Sequence, residues 1–194
     1  MNAFNFLRNA FAGRKLATAG FVWLCLIVVA AIVAPLIAPF DPLEIDPVGR
    51  LAEPGWPNLF GTDHFGRDTF SRAIYGARMT VIIGVGSVIV ALFCGGLIGM
   101  LSAYFTRLGH FLMRGIDVLM AFPALLMALV LITLLERSVF NTVLVIGIVY
   151  ATTTARILFG MTLKLKGEVF IDAAVCSGAG HSSILFRHIL PNLL

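Results

Sequence analysis

Charged residues are scarce in this sequence. Only 12% of its 194 residues are Asp, Glu, Lys or Arg, and 59% are hydrophobic, whereas about a quarter of the residues in a soluble domain are charged. Four stretches contain no charged side chain, and each reaches the roughly 18 residues that a membrane-spanning helix needs. These stretches are Leu16–Phe40, Met79–Thr106, Val118–Leu135 and Ser138–Ala155. An ionised side chain at mid-membrane costs about 3 kcal/mol, so we predict an all-α, polytopic helical bundle in a membrane rather than a soluble protein with buried helices.

Motifs for nucleotide, metal or covalent chemistry are also missing. The sequence contains no G-x-x-x-x-G-K-[ST] phosphate loop, dinucleotide fingerprint, zinc spacing or nucleophile elbow. We therefore expect no ATP binding, no catalysis, no cofactor and no metal in this chain. Its three cysteines suggest no disulfide framework, because two of them lie inside predicted spans. The net charge of +4 comes from loops at one membrane surface and requires no nucleic-acid partner.

The positions of Lys and Arg predict the orientation in the membrane. With a cytoplasmic N-terminus, nine of the 14 basic residues fall in inner segments and five in outer ones, in agreement with the positive-inside rule. The inner residues are Arg8, Arg14, Lys15, Arg107, Arg114, Arg156, Lys164, Lys166 and Arg187. The first apolar stretch is longer than the roughly 7–15 residues of a signal-peptide core. We therefore expect an uncleaved first helix.

A proline-rich outer loop follows the first span, and a helical pattern follows the loop. Pro35 and Pro39 are expected to end the first helix, and the loop is expected to be irregular and solvated. Apolar residues then recur at helical spacing, which predicts an amphipathic helix at the membrane surface with Asp68 as its N-cap. The apolar residues are Phe70, Ile74, Ala77 and Val81.

Two carboxylates and a histidine in the same region could be taken for metal ligands. Asp63, His64 and Asp68 lack a fourth partner at suitable spacing, so they fall short of a convincing ligand set. Helix capping and a pair between Arg67 and a neighbouring aspartate explain these charges more simply.

Small residues line one face of the second span. They are spaced by three or four positions, and they are Gly84, Ser87, Ala91, Gly95, Gly99 and Ser102. In lipid, helix association relies on close backbone approach, which small residues permit. This face is therefore predicted to pack against another helix, either of this chain or of a partner subunit.

The third and fourth spans leave two alternatives open. Arg114 and Asp117 are expected to pair at the inner interface, and Pro123 marks either a pore-lining hinge or a simple helix start. Polar residues near the end of the fourth span either bond back to the helix backbone or line a polar pathway. They are Tyr150, Thr152, Thr153 and Thr154.

A polar segment after the fourth span predicts a helix–turn–helix. Residues 167–176 are expected to form a short helix that ends where Gly178 or Gly180 takes the left-handed conformation. Ser182 or Ser183 is then expected to cap a second short helix.

This second helix should reach His188, and Pro191 should open the next span at its first helical position.

The same segment resembles the EAA loop of bacterial ABC-importer permeases. It has an acid followed by two alanines, a glycine six positions after the acid, and Ile-Leu-Pro ending nineteen positions after it. These residues are Asp172, Ala173, Ala174, Gly178, Ile189, Leu190 and Pro191. The resemblance implies that the segment docks on a separate ATPase subunit and transmits ATPase closure to the membrane helices. Asp172 stands where the family usually has Glu, so its side chain reaches less far toward a partner.

A second resemblance comes from residues 61–78. The pattern Gly-Thr-Asp-x-x-Gly-Arg-Asp-x-x-Ser-Arg, followed by Tyr-Gly-Ala-Arg, is similar to the region before the second helix in C-type permeases of dipeptide, oligopeptide and nickel importers. It implies a permease subunit in the bacterial inner membrane that imports di- or oligopeptides, with nickel or another small solute as the alternative substrate. Its implied partners are two ABC ATPase subunits, a second permease subunit and a periplasmic binding protein. Residues 1–78 would form an N-terminal region and residues 79–194 the permease domain.

The family has six spans, two of them after the docking loop. We therefore expect about a third of such a subunit to be absent from this sequence. Two other classes remain as alternatives. One is an ion-driven secondary transporter, which usually carries ionisable residues inside its spans. The other is a non-transporting membrane protein that only binds partners.

Overall fold

The regular structure of the chain is helical. The computed structural model describes residues 15–193, and among these no β-strand forms. The helices are α1 (Lys15–Ile37), α2 (Thr69–Tyr104), α3 (Thr106–Met120), α4 (Ala124–Leu134), α5 (Val139–Lys166), α6 (Val169–Cys176), α7 (His181–Ser183) and α8 (Leu190–Leu193), with a π-helical turn at Ile184–Ile189 between the last two. The predicted all-α class is confirmed. Arg8 and Arg14, which count toward the predicted orientation, lie outside the described residues.

Three helices are long and apolar enough to cross a membrane, namely α1, α2 and α5. A fourth span forms if α3 and α4 are counted together, although the two helices meet at an angle of 91°. The chain is thus a multi-pass membrane protein, as predicted. The helix is interrupted between Met120 and Ala124, so Pro123 marks both a bend and a helix start, the two alternatives that the sequence left open. Pro123 causes the break, since it lacks an amide donor and disfavours helix at the residue before it.

Helix α2 is one continuous element of 36 residues. At 1.5 Å per residue it is about 54 Å long, well beyond the roughly 30 Å of a bilayer core. The predicted surface helix is therefore the first part of α2, and its separation from the second span was wrong. The helix contains no proline, which would interrupt its hydrogen bonding. Asp68 is the N-cap as predicted, because its Oδ2 accepts a hydrogen bond of 2.7 Å from the Ser71 amide.

The chain divides into two compact units at Ile82 and Ile83. The first contains α1, which ends at Ile37 between the two prolines, and the outer loop. The loop is irregular, as predicted, but it is held by specific contacts. The Thr62 hydroxyl accepts from the Ala52 amide at 2.8 Å, and the Thr62 amide donates to the Ala52 carbonyl at 3.1 Å. A Cβ at Gly66 would overlap the Asp46 backbone, which explains a glycine in this close approach.

The second unit is built around α5, which contacts α3, α4 and the π-helical turn. Ser138 caps α5 by accepting from the Asn141 amide at 3.0 Å. The helix runs to Lys166, 11 residues beyond the predicted charge-free span. Asp117 pairs with Arg156 of α5, and among the described residues no ion pair joins Asp117 to Arg114. The predicted local pair was wrong because a tertiary contact brings a better-placed guanidinium to the carboxylate.

Pro191 does not open a separate helix. It lies in α8, which continues the π-helical turn without interruption. The predicted end of the second short helix near His188 was therefore wrong as well. A proline inside a helix removes one amide donor and crowds the carbonyl four residues earlier. The wider π-helical turn just before it is the kind of local adjustment that accompanies such a disruption.

Candidate functional site

The α6–α7 segment, defined as residues 169–189, starts with a helix that ends in a Schellman motif. The Gly178 amide donates to the Val175 carbonyl, and the Ala179 amide donates to the Ala174 carbonyl, both at 3.0 Å. Gly178 has a φ of +78°, which glycine adopts without the steric cost that a Cβ imposes. The left-handed residue is thus Gly178, while Gly180 is the N-cap of α7 with a φ of −70°. The predicted caps Ser182 and Ser183 lie inside α7 instead.

Helix α6 has one buried side and one exposed side. Ile171 is buried and Ala174 is half-buried, whereas an exposed stripe at helical spacing contains Val169, Asp172, Ala173 and Cys176. This stripe is apolar apart from one carboxylate and one thiol. Its largest side chain, Val169, is 80% exposed. An exposed apolar patch on a structured element is a common feature of protein-binding surfaces.

The other residues of the EAA-like pattern are not all exposed. Gly178 and Pro191 are exposed and Leu190 is half-buried, but Ile189 is completely buried. Ile189 therefore contributes to packing rather than to a surface that a partner could touch.

A hydrophobic cluster anchors the segment to the rest of the second unit. Its buried members are Met100, Ile171, Ile184, Leu185 and Ile189, and Leu97, Leu101, Tyr104 and Leu165 pack against them. The cluster joins α6 and the π-helical turn to the last turns of α2 and α5. The α6–α7 segment is therefore packed into the second unit and is not a loop surrounded by solvent.

The middle of the small-residue face of α2 lies against α5. Ser87, Ala91, Gly95, Gly99 and Ser102 are buried, and Gly84 is exposed. The Ser87 hydroxyl donates to the Val143 carbonyl at 3.3 Å. A Cβ at Gly95 would overlap the Ala151 carbonyl and lie 2.8 Å from Thr154 Cβ.

Sequence reasoning missed the matching face of α5. Gly147, Ala151 and Ala155 are buried, and a Cβ at Gly147 would lie 2.5 Å from Val90 Cβ. Their regular spacing of four residues is a detectable small-residue pattern. From the sequence, only the polar residues in this part of α5 were considered, as residues that bond back to the helix or line a polar pathway.

The candidate pathway residues point in different directions. Thr152 is buried and donates to the Val149 carbonyl at 2.8 Å, and Thr154 donates to the Tyr150 carbonyl at 3.0 Å. These two hydroxyls therefore bond back to the helix. Tyr150 and Thr153 are exposed, and together with Thr152 they line a cavity of about 250 Å³, whose other wall is the helix break around Pro123.

Charge pairs organise the end of the outer loop. Asp63 pairs with Arg67 at 2.8 Å and also with Arg72, so the predicted Arg67–aspartate pair is confirmed. Desolvation raises the pKa of Asp63, but hydrogen bonds from the Phe65 and Arg67 amides and from the Arg67 side chain outweigh it and lower the pKa to about 2. Burial likewise raises the pKa of Asp68, and bonds from Ser71 and Asn58 bring it below its usual value.

Two family models match the chain. Residues 95–194 match the binding-protein-dependent transport system inner membrane component. Residues 6–54 match the N-terminal transmembrane domain of oligopeptide transport permease C. The first match covers the end of α2 and all the helices that follow it.

Curated relatives are similar over nearly the whole chain. A dipeptide transport system permease protein from Alkalihalophilus pseudofirmus is 36% identical over 93% of this chain and 60% of its own length. A di/tripeptide transport system permease protein from Pseudomonas aeruginosa is 35% identical over 96% of this chain and 64% of its own length. A putative peptide transport system permease protein from Brucella suis is 37% identical over 90% of this chain and 59% of its own length. The chain therefore spans about three fifths of the relatives it matches.

Proposed function

Because the chain belongs to the family of binding-protein-dependent transport system inner membrane components, we propose that it is a C-type permease subunit of an ATP-driven importer of di- or oligopeptides. The names of its relatives, which are peptide transport permeases, support the substrate class. ATP would be hydrolysed by two separate ATPase subunits. A second permease subunit and a periplasmic binding protein would complete the complex in the bacterial inner membrane.

One observation carries the ATPase-docking part of this proposal. The α6–α7 segment buries one side against the ends of two long helices and leaves the stripe of Val169, Asp172, Ala173 and Cys176 exposed. A short, firmly anchored helix with a smooth apolar face suits insertion into a groove of another protein. Movement of that groove would be passed to the membrane helices.

The docking test places a charge on this stripe without disturbing the fold. Ala173 is exposed in the middle of α6, and lysine is a good helix former, so Ala173→Lys should leave the helix intact. A buried, unpaired ammonium in the groove is costly, and we expect the cognate ATPase subunits to co-purify at least tenfold less. The matched control is Glu136→Lys, in the exposed turn before α5 at the far end of that helix. Undiminished co-purification with Ala173→Lys would reject the docking role.

Gly178 offers a complementary test of the same surface. A Cβ at Gly178 would meet nothing within 4 Å, but its positive φ strains any larger residue. We expect Gly178→Trp to reduce ATPase association through both the strained turn and added bulk. Gly178→Asn, which tolerates the left-handed conformation better, should retain most of it.

The proposed orientation places the N-terminus and the α6–α7 segment in the cytoplasm. Lys164 and Lys166 in the last turn of α5 support this orientation under the positive-inside rule. The outer loop and its Asp63–Arg67 pair would then face the periplasm.

Tyr150 and Thr153 are proposed to line part of the solute pathway. The support is their exposure beside the cavity at the α3–α4 break, where the backbone leaves helical hydrogen bonding. Irregular backbone at membrane depth is tolerated where protein or a water-filled cavity surrounds it. Tyr150→Phe should change the apparent KM for peptide without changing ATPase recruitment.

A further inference from the structure

Three helix ends meet at one polar cluster beside the hydrophobic anchor of the α6–α7 segment. Tyr104 is the last residue of α2, Lys166 is the last residue of α5, and His181 is the first residue of α7. The Tyr104 hydroxyl and His181 Nδ1 lie 2.7 Å apart, within hydrogen-bonding distance. The two rings also meet edge to face, with centroids 5.5 Å apart.

Lys166 closes the cluster from the side of α5. Its Nζ donates to the Tyr104 carbonyl at 2.9 Å and approaches the Ala103 carbonyl at 3.5 Å. The last carbonyls of a helix have no partner within the helix, and a cation is favourable at that end of the helix dipole. The same ammonium lies 5.6 Å from the centre of the Tyr104 ring, within the range of a cation–π contact.

These polar contacts differ in kind from the hydrophobic cluster beside them. Apolar packing is non-directional, so Ile184 and its neighbours can hold the segment against α2 without fixing its rotation. Hydrogen bonds weaken steeply when distance or angle changes. The contacts of Tyr104 therefore define how α7 is placed on the ends of α2 and α5.

We propose that Tyr104, His181 and Lys166 form a positioning node that converts a displacement of the α6–α7 segment into movement of both α2 and α5. This inference rests on the proposed function, because the displacement would come from the docked ATPase. The node identifies the contacts through which the displacement would reach the two membrane helices. It sets how much solute is moved for each ATP hydrolysed, while the exposed stripe of α6 sets ATPase binding.

The first experiment measures the contact itself in the full chain in lipid nanodiscs, without any partner. Tyr104→Phe removes only the hydroxyl, and a lost hydrogen bond of about 1 kcal/mol corresponds to about fivefold faster local opening. We expect amide hydrogen exchange in residues 180–184 to rise by about that factor. Tyr75→Phe is the matched control, since the Tyr75 hydroxyl makes no hydrogen bond within residues 15–193. Unchanged exchange in Tyr104→Phe would overturn the inference.

The second experiment measures coupling in the assembled transporter, with labelled alanyl-alanine as the solute. For Tyr104→Phe and His181→Leu we expect normal ATPase co-purification and about fivefold less peptide moved per ATP hydrolysed. His181→Asn should restore the ratio, because its side-chain amide can meet the Tyr104 hydroxyl near the position of Nδ1. If these residues had a merely structural role, the variants would lower ATPase recruitment and transport together. His181→Asn would then restore both quantities together, and not only the amount of peptide moved per ATP hydrolysed.

The two arms separate failure of the node from failure of the proposed function. If the unaltered chain recruits ATPase and moves the peptide but Tyr104→Phe keeps the same ratio, the node is rejected and the proposed function stands. If the unaltered chain recruits no ATPase, the proposed function falls and the node falls with it.

Discussion

Exchanging glycine for alanine should affect stability differently at two places in α2. At Gly95, an added Cβ would overlap the Ala151 carbonyl and would lie 3.0 Å from the Ala155 amide nitrogen. These are backbone atoms of α5, which cannot move aside as a side-chain end can. At Gly84, an added Cβ would meet nothing within 4 Å.

The size of the difference follows from these contacts. Replacing glycine by alanine inside a helix gains about 1 kcal/mol at either position, so this contribution cancels in the comparison. Overpacking costs about 1–3 kcal/mol and applies to Gly95 alone. We therefore expect Gly84→Ala to be neutral or more stable than the unaltered chain, and Gly95→Ala to be less stable than Gly84→Ala by about 1–3 kcal/mol.

The assay is unfolding in mixed micelles by increasing mole fraction of SDS, followed by circular dichroism. Gly160→Ala in α5 is a second open-space control, since a Cβ there also meets nothing within 4 Å. Gly99→Ala should behave like Gly95→Ala, because its Cβ would lie 3.0 Å from the Phe159 amide nitrogen. Equal midpoints for Gly95→Ala and Gly84→Ala would refute the close approach of α2 and α5.

Two further predictions concern charge pairs. The pKa of Asp63 is lowered to about 2 in the fold, so its stabilisation of the outer loop is fully present above the unfolded value near 3.9 and is lost as pH falls toward 2. Measured relative to pepsin cleavage of an unstructured peptide at each pH, cleavage of the loop should therefore accelerate between about pH 4 and 2. Asp63→Asn should weaken this pH dependence, whereas Glu53→Gln should leave it unchanged. The Asp117–Arg156 pair is about half exposed, so Asp117→Asn should cost no more than about 1 kcal/mol in the same SDS titration; a larger loss would mean the pair is shielded from water.

Features that depend on neighbouring residues in the sequence were predicted better than features that depend on distant ones. The N-cap at Asp68 was predicted, and Gly178 was one of two glycines expected to take the left-handed conformation, because caps and tight turns depend on a few neighbouring residues. The continuity of α2 was missed, since the spacing of apolar residues near its start suggested a separate surface helix, yet a long helix can carry charges once it leaves the bilayer. The bend at Pro123 was considered only as one of two alternatives.

The candidate site shows the same division. The acidic residue and alanines of the α6–α7 segment were identified through the resemblance to the EAA loop, but the exposed positions Val169 and Cys176 were not. Ile189 belongs to the same sequence pattern and is fully buried. Which member of a pattern faces outward depends on the surface against which the helix packs.

By itself, the sequence determined that this chain crosses a membrane several times and carries an EAA-like segment. The first conclusion follows from the cost of charge in lipid, and the second from a short residue pattern that resembles a known family. Only the tertiary structure decided that α2 packs on the small residues of α5, that Asp117 pairs with Arg156, and that Tyr104 meets His181. These contacts join residues from 39 to 77 positions apart, and their formation depends on which helix surfaces come together.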